Sequence, residues 1–99
     1  MKKPGLRFTV RASADIQGVG RYIAAGGNPL RARSFTKELR ARCARIVDHP
    51  GAAPLRPEYG AGIRAVPFGR FLILYMLEPS GAVLVVRVMG AAQQPRPVL

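Results

Sequence analysis

Arginine is the residue type whose number and placement in this sequence best suit a chemical role. The chain of 99 residues carries 16 Lys and Arg against 5 Asp and Glu, which gives a formal net charge of +11. Of the basic residues, 13 are Arg, and a guanidinium binds carboxylates and phosphates through paired hydrogen bonds that a Lys ammonium does not make. The composition therefore predicts a docking surface for an anionic partner.

Four arginines fall on or next to predicted strands, away from those of the predicted helices: Arg56, Arg64, Arg70 and Arg87. Arg87 interrupts an apolar strand, so it is paired, exposed on an edge, or part of a concave basic face. The alternative to a binding role is that it stacks on Tyr75 or Phe71, or pairs with Glu58. Both interpretations stay open for Arg64 and Arg87. Three further arginines are interpreted as solvated: Arg7, Arg21 and Arg33.

A basic concave sheet could also hold RNA phosphates and stabilise the charge of phosphodiester cleavage. Such a nuclease needs a general acid or base beside the arginines, and the tail after Arg87 has no Tyr, His, Lys, Asp or Glu. The single cysteine, Cys43, lies on a predicted helix stripe as a small apolar residue, and the single histidine, His49, lies in a Pro-rich loop. Nucleophilic catalysis is therefore disfavoured.

Metal and cofactor chemistry is not indicated either. One Cys and one His cannot build a zinc site without carboxylates or a second chain. The five carboxylates are scattered along the sequence, and no Gly-rich loop connects a strand to a helix. We therefore predict no catalytic residue, no metal site and no cofactor.

Hydrophobic periodicity predicts the elements that must position the arginines. Residues 6–11 alternate apolar and polar, as in a half-buried strand. Ser13 is then predicted as a helix N-cap, with Asp15 in the first turn. Gly26 and Gly27 end this helix, and a second helix is predicted from Pro29 to about residue 48. Its apolar stripe consists of Ala32, Phe35, Leu39, Cys43, Ile46 and Val47.

The second half of the chain is predicted to form strands. Two β-like runs flank a tight turn at Phe68 and Gly69, and each run carries an arginine close to that turn, Arg64 and Arg70. After a turn at residues 78–81 comes a last strand over residues 82–89, whose centre is continuously apolar and therefore predicted to lie deep in the sheet. Three successive strands form an antiparallel meander, and the helical hairpin must cover one of its faces. We predict a single α+β domain of order β-α-α-β-β-β, with residues 91–99 as an extended tail.

The sequence shows no evident membrane-spanning segment and no evident signal peptide. The longest apolar run, residues 71–77, is far shorter than the roughly 20 residues that span a bilayer. No apolar signal-peptide core follows the basic start of the chain. A lone cysteine suits a reducing compartment. The cytoplasm is the expected location.

Several blocks of the sequence occur in a familiar order over most of its length. They are Asp15-Ile16-x-x-Val19-x-x-Tyr22-Ile23, Pro29-x-x-Ala32-x-x-Phe35-x-x-x-Leu39, His49-Pro50-Gly51, Gly62-Ile63-Arg64, Gly69-Arg70-Phe71-Leu72-Ile73-Leu74-Tyr75 and Val85-Val86-Arg87-Val88-Met89. Together they resemble the RelE/ParE superfamily of bacterial toxins from type II toxin–antitoxin systems. The match is closer to the ParE branch than to the ribosome-dependent RelE nucleases.

The resemblance implies two N-terminal helices packed on a mostly antiparallel sheet. In the ParE branch the toxin poisons DNA gyrase, and in the RelE branch it cuts mRNA in the ribosomal A site, using basic residues and often a C-terminal Tyr. Both are silenced by a cognate antitoxin, whose flexible C-terminal arm wraps the toxin and whose N-terminal part binds operator DNA. The family's His-Gly-Ala-Arg-Asp-like ending is replaced here by Gly90-Ala91-Ala92-Gln93-Gln94, which lacks its polar groups.

The sequence therefore predicts a ParE-like toxin that inhibits gyrase by binding and forms a hetero-oligomer with an acidic, ParD-like antitoxin arm. Operator DNA is expected to be contacted only through the antitoxin, and no membrane is involved. The residues predicted to bind antitoxin or target are Arg56, Arg64, Arg70, Tyr75, Arg87 and Met89, and those predicted to form a helix groove are Ile16, Tyr22, Phe35 and Leu39. The alternatives are a RelE-like mRNA endonuclease, an inactive relic that only binds antitoxin, and a general nucleic-acid-binding module.

Overall fold

Two helices and four strands follow one another along the chain, of which the computed structural model describes residues 5–99. They are β1 (Leu6–Phe8), α1 (Val10–Ala25), α2 (Pro29–Ile46), β2 (Arg64–Phe68), β3 (Phe71–Leu77) and β4 (Val83–Gly90), with a 3-10 turn at Pro57–Tyr59 before β2. This order, β-α-α-β-β-β, confirms the predicted α+β fold.

The four strands form one mixed sheet in the order β1-β4-β3-β2. The pairs β2–β3 and β3–β4 are antiparallel, which is the predicted meander. β1 joins the other side of β4 in parallel, so β4 is an inner strand. Val83, Val85 and Val86 are buried within it, which confirms the depth predicted from the continuous apolar run.

The helices cover one face of the sheet, as predicted. Their inward stripes place Ile16, Leu39 and Cys43 against Ile73 and Val85 in one core cluster. Burial of these apolar side chains is the main stabilising contribution from the helical hairpin, at about 25 cal/mol for each Å² removed from water.

Irregular chain covers the opposite face. A second core cluster joins Tyr59 and Ile63, from the segment before β2, to Leu74 and Met89 on the sheet. The predicted extended tail, residues 91–99, contains no helix or strand. It folds back on this face, because the Val98 N–H donates to the carbonyl oxygen of Tyr59 at 2.9 Å.

The start of α1 differs from the prediction. Its N-cap is Thr9, not Ser13, so β1 ends three residues earlier than expected and Asp15 lies in the second helical turn. Thr9 Oγ1 accepts a hydrogen bond from the Ala12 N–H at 3.0 Å and donates one to the Val86 carbonyl at 2.9 Å. Both residue types are good N-caps, and the additional bond to β4 favours Thr9.

Two other boundaries move slightly. α2 begins at Pro29 as predicted, with Asn28 as its N-cap, but it ends at Ile46, two residues early. Because Phe68 pairs directly with Phe71, the hairpin turn consists of residues 69 and 70 rather than 68 and 69. Gly69 has φ +59° there, a conformation that glycine adopts without strain.

We expect Thr9→Ala to lower the free energy of unfolding by about 1–2 kcal/mol, since the variant loses both the helix cap and the bond to β4. Thr9→Ser keeps the hydroxyl and is the matched control, with a loss less than half as large. Urea unfolding followed by circular dichroism measures both. Equal losses in the two variants would assign the effect to the methyl group instead.

Candidate binding cleft between α1 and the sheet

A cleft of about 490 Å³ lies between α1 and the ends of β3 and β4. We call it the α1–β4 cleft. Helix α1 contributes Asp15, Gly18, Val19 and Tyr22, the sheet contributes Arg70, Phe71, Arg87 and Met89, and the tail contributes Gln93. The cleft therefore brings together four of the residues predicted from the sequence, which are Tyr22, Arg70, Arg87 and Met89.

Arg87 is held in the cleft by Asp15. Its Nε donates to Asp15 Oδ2 at 2.7 Å, and its second guanidinium nitrogen donates to Oδ1 at 3.2 Å. The two side chains are only 16% and 18% exposed, so solvent screens this bidentate pair weakly. The hydrogen bonds to Asp15 raise the pKa of Arg87 above its ordinary value. The sequence left pairing open for Arg87 with Glu58 as the candidate partner, and the partner is Asp15.

The same carboxylate also completes the edge of β4. β1 pairs with β4 only as far as Val85, so the edge is open beyond that point. Asp15 Oδ2 accepts the Val88 N–H at 2.9 Å, which satisfies a backbone donor that no strand reaches. Asp15 is thus a positioning residue that joins α1, the edge of β4 and the Arg87 side chain.

Arg70 is the exposed cation of the cleft. It occupies the β2–β3 turn, and among residues 5–99 its side chain has no ion-pair partner. Its carbonyl oxygen accepts the Ala91 N–H at 2.8 Å, which fastens the turn to the start of the tail. Beside it lie the Tyr22 ring, which is 79% exposed, and Phe71, which is half-buried, whereas Met89 is only 4% exposed and packs in the core cluster of the opposite face. An exposed guanidinium and two accessible aromatic rings therefore adjoin one another.

The remaining predicted arginines lie elsewhere and do not form one basic face with Arg70 and Arg87. Arg64 is at the end of the hairpin opposite Tyr75, not close to the turn. Its guanidinium donates to the carbonyls of Gly51 and Ala53, at 3.2 and 2.6 Å. Arg56 Nε donates to Glu58 Oε2 at 2.9 Å.

Tyr75 is fully buried, and its hydroxyl donates to the Pro50 carbonyl at 2.6 Å. Desolvation raises the pKa of this phenol above its ordinary value. Tyr75 and Arg64 together fasten the loop of residues 50–53 to the sheet. In this structure neither side chain reaches the α1–β4 cleft.

The four residues predicted to form a helix groove also lie partly inside and partly outside the α1–β4 cleft. Ile16 and Leu39 belong to the core, at 1% and 0% exposure, while Tyr22 lines the α1–β4 cleft. Phe35 packs edge-on against Phe68 and Phe71, with ring centroids 5.3 and 5.7 Å apart. The roles of these four residues in binding stay predictions.

Sequence reasoning missed Asp15, Gly18 and Gln93 as cleft residues. A signal for Asp15 was present, because Asp15 and Tyr22 are seven residues apart and share one face of the helix. No such signal was present for Gln93, because its position depends on the direction in which the tail continues after β4.

The described residues offer little for nucleophilic or metal chemistry. Cys43 is fully buried, and desolvation raises the pKa of its thiol to about 11, so it is protonated at neutral pH. Within residues 5–99 no three His, Cys, Asp or Glu side chains are grouped as metal ligands. No helix in the same range is long and apolar enough to cross a membrane.

A family model and two solved structures are similar to this chain over most of its length. Residues 6–95 match the family model described as the ParE toxin of type II toxin–antitoxin system, parDE. No curated protein sequence matches the chain. Among solved structures, the fold is similar to one from the chromosomal ParDE system of P. aeruginosa, with a TM-score of 0.78 and 14% identity over 89% of this chain and 96% of that one. It is also similar to one from the toxin–antitoxin complex RelBE2 of Mycobacterium tuberculosis, with a TM-score of 0.56 and 22% identity over 90% and 99%.

Proposed function

This chain belongs to the ParE toxin family of type II toxin–antitoxin systems, and we propose that it inhibits DNA gyrase in the cytoplasm and is neutralised by a cognate antitoxin. In this proposal the acidic, flexible arm of the antitoxin occupies the α1–β4 cleft. Arm and toxin form a hetero-oligomer, and the arm folds as it binds.

The observation that carries the proposal is the composition of the cleft. Arg70 offers an exposed guanidinium to a carboxylate, while the exposed Tyr22 ring and the half-buried Phe71 offer apolar area. Interfaces draw most of their binding energy from such aromatic and arginine residues. Ordering a flexible arm costs about 2–5 kcal/mol, which buried apolar area and paired charge must offset.

The cleft is better suited to binding than to phosphodiester cleavage. Asp15, the one carboxylate among the described lining residues, already accepts hydrogen bonds from Arg87 and from the backbone of Val88. Among its described lining residues there is no His, Lys or Glu, and the phenol of Tyr22 is the one other proton-transfer group. Phosphodiester cleavage calls for both a general acid and a general base, and Tyr22 alone supplies one of the two.

The target is tested with the purified chain in two assays run in parallel. DNA supercoiling by purified gyrase should be inhibited, and mRNA on translating ribosomes should stay intact. Ribosome-dependent cleavage without gyrase inhibition would move the protein to the RelE-like alternative. Normal growth of cells that express the chain without antitoxin would instead identify an inactive relic.

We expect Arg70→Glu to weaken antitoxin binding about tenfold, because the charge reversal replaces an attraction to the acidic arm by a repulsion. The probe is a peptide of the C-terminal half of the cognate antitoxin, which we expect the neighbouring reading frame to encode, and calorimetry at moderate salt gives its dissociation constant. Arg96→Glu makes the same charge change in the exposed tail and should leave the affinity within twofold. Equal weakening in both variants would mean that net charge alone drives the interaction.

A further inference from the structure

A second basic surface lies between the two helices, and the proposed function does not use it. It is a groove of about 380 Å³, which we call the interhelical groove. Its polar lining consists of Gln17 and Arg21 from α1 with Arg33, Thr36 and Arg40 from α2. The helices are close here because α1 has glycine at position 20, where an added Cβ would lie 3.3 Å from Thr36 Cγ2.

The interhelical groove and the α1–β4 cleft lie on opposite flanks of α1. Gln17 and Arg21 line the groove, whereas Asp15, Gly18 and Tyr22 line the cleft. The two sites adjoin where the Arg21 guanidinium lies 3.8 Å from the position of a Cβ on Gly18.

No ion pair among residues 5–99 neutralises the arginines of the groove. Within residues 5–99 the helices carry only two carboxylates, Asp15 and Glu38, and these are paired with Arg87 and Arg31. Arg21, Arg33 and Arg40 are all exposed, and none of the ion pairs among the described residues includes them. The Arg40 guanidinium lies over the Phe8 ring, 5.5 Å from its centroid, which limits its freedom.

The lining of the groove suits phosphates better than a protein surface. Protein interfaces need apolar or aromatic anchors, and the apolar lining residues here, Ile16 and Ala32, are only 1% and 6% exposed. Phosphate oxygens are bound by Arg together with short polar side chains, which is what the groove presents. An acidic polypeptide is therefore the weaker candidate.

The geometry also favours a duplex over a single strand. None of the described residues that line the groove is aromatic, and proteins commonly hold single-stranded nucleic acid by stacking unpaired bases on aromatic rings. Arg33 and Arg40 are separated by about 10 Å along the α2 axis. That distance is close to three base-pair rises of B-DNA, about 10 Å.

We propose that the interhelical groove binds the phosphate backbone of duplex DNA without sequence preference. The family resemblance assigns DNA contact to the antitoxin alone, so this groove would be a second DNA-binding element on the toxin itself. The inference does not rest on gyrase inhibition or on antitoxin binding. Arg21 and Arg33 are exposed as predicted, and the proposal gives them a binding role in addition to solvation, whereas Arg7, predicted to be solvated as well, is paired with Glu78 at 3.0 Å.

The test uses the purified chain and a fluorescently labelled random-sequence DNA duplex, with fluorescence anisotropy measured over a range of KCl concentrations. The logarithm of the binding constant should fall steeply with the logarithm of the salt concentration. In the triple variant R21Q/R33Q/R40Q the slope of log binding constant against log salt concentration should be less negative by about 2–3. Binding at low salt should be about 10- to 30-fold weaker. The three side chains are exposed, so the variant should retain the wild-type circular dichroism spectrum.

The matched control is the triple variant R11Q/R45Q/R96Q, which removes the same charge from exposed arginines that lie outside the groove and in none of the ion pairs among residues 5–99. It should change the slope by less than about 1 unit. Equal flattening in the two triple variants would overturn the proposal, because net charge alone would then explain binding. An equal loss of affinity for poly-glutamate in R21Q/R33Q/R40Q would overturn it in favour of an acidic polypeptide.

Discussion

Asp15→Ala should lower the free energy of unfolding by about 3 kcal/mol, the largest stability effect that we expect from any single side chain outside the core. The substitution leaves the Arg87 guanidinium largely buried without its counter-ion and removes the acceptor of the Val88 N–H. Leaving a buried charge and a buried donor unpaired costs more than the pair contributes while intact. Urea unfolding of the purified chain measures the loss.

Two further variants separate the charge from the geometry. Asp15→Asn keeps an acceptor oxygen for Val88 but not the ion pair, so it should be intermediate in stability. The double variant D15L/R87M replaces the pair by apolar side chains and should recover the part of the loss that comes from the unpaired guanidinium, but not the part that comes from the Val88 N–H. If Asp15→Ala lowers the free energy of unfolding by less than about 1 kcal/mol, the Asp15–Arg87 pair contributes no more than an ordinary surface ion pair.

Gly18→Trp should weaken binding of the antitoxin-arm peptide at least 100-fold. Gly18 lines the α1–β4 cleft, and an indole at this position would occupy the space that the arm needs. The backbone tolerates the change, because the nearest atom to an added Cβ is an Arg21 guanidinium nitrogen at 3.8 Å, an ordinary contact. Trp also has a higher helix propensity than Gly, so the fold should be retained.

Gly51→Trp is the matched control for this experiment. Gly51 is exposed, and nothing lies within 4 Å of a Cβ added there. Calorimetry should give the wild-type dissociation constant for this variant. Normal binding by a folded Gly18→Trp protein would show that the arm occupies a different surface, whatever the target of the toxin.

The order of elements was predictable because it depends on local periodicity. The apolar stripe of α2 and the continuous apolar run of β4 both identify their elements without any knowledge of their neighbours. The start of α1 was not predictable in this way. Thr9 and Ser13 are equally good local caps, and the hydrogen bond that favours Thr9 comes from Val86, 77 residues further along the chain.

The sequence predicted which residue types form the candidate site better than it predicted which of those residues lie together. Arg70 and Arg87 do share a cleft, but Arg64 instead bonds to carbonyls 11 and 13 residues away. The partner of Arg87 is 72 residues distant, and nothing local distinguishes Asp15 from Glu58 as its counter-ion. Long-range pairing of this kind depends on how the helices sit on the sheet, which sequence patterns do not encode residue by residue.

The dependence of the cleft on β4 has a consequence for synthesis of the protein. α1 leaves the ribosome early, but the strand that completes the sheet between β1 and β3 is made last. A nascent chain that ends before Val83 lacks both the partner of β1 and Arg87, so it has no finished surface for antitoxin or target. Interrupted translation should therefore yield fragments that are harmless to the cell, and toxicity should arise only once nearly the whole chain has emerged.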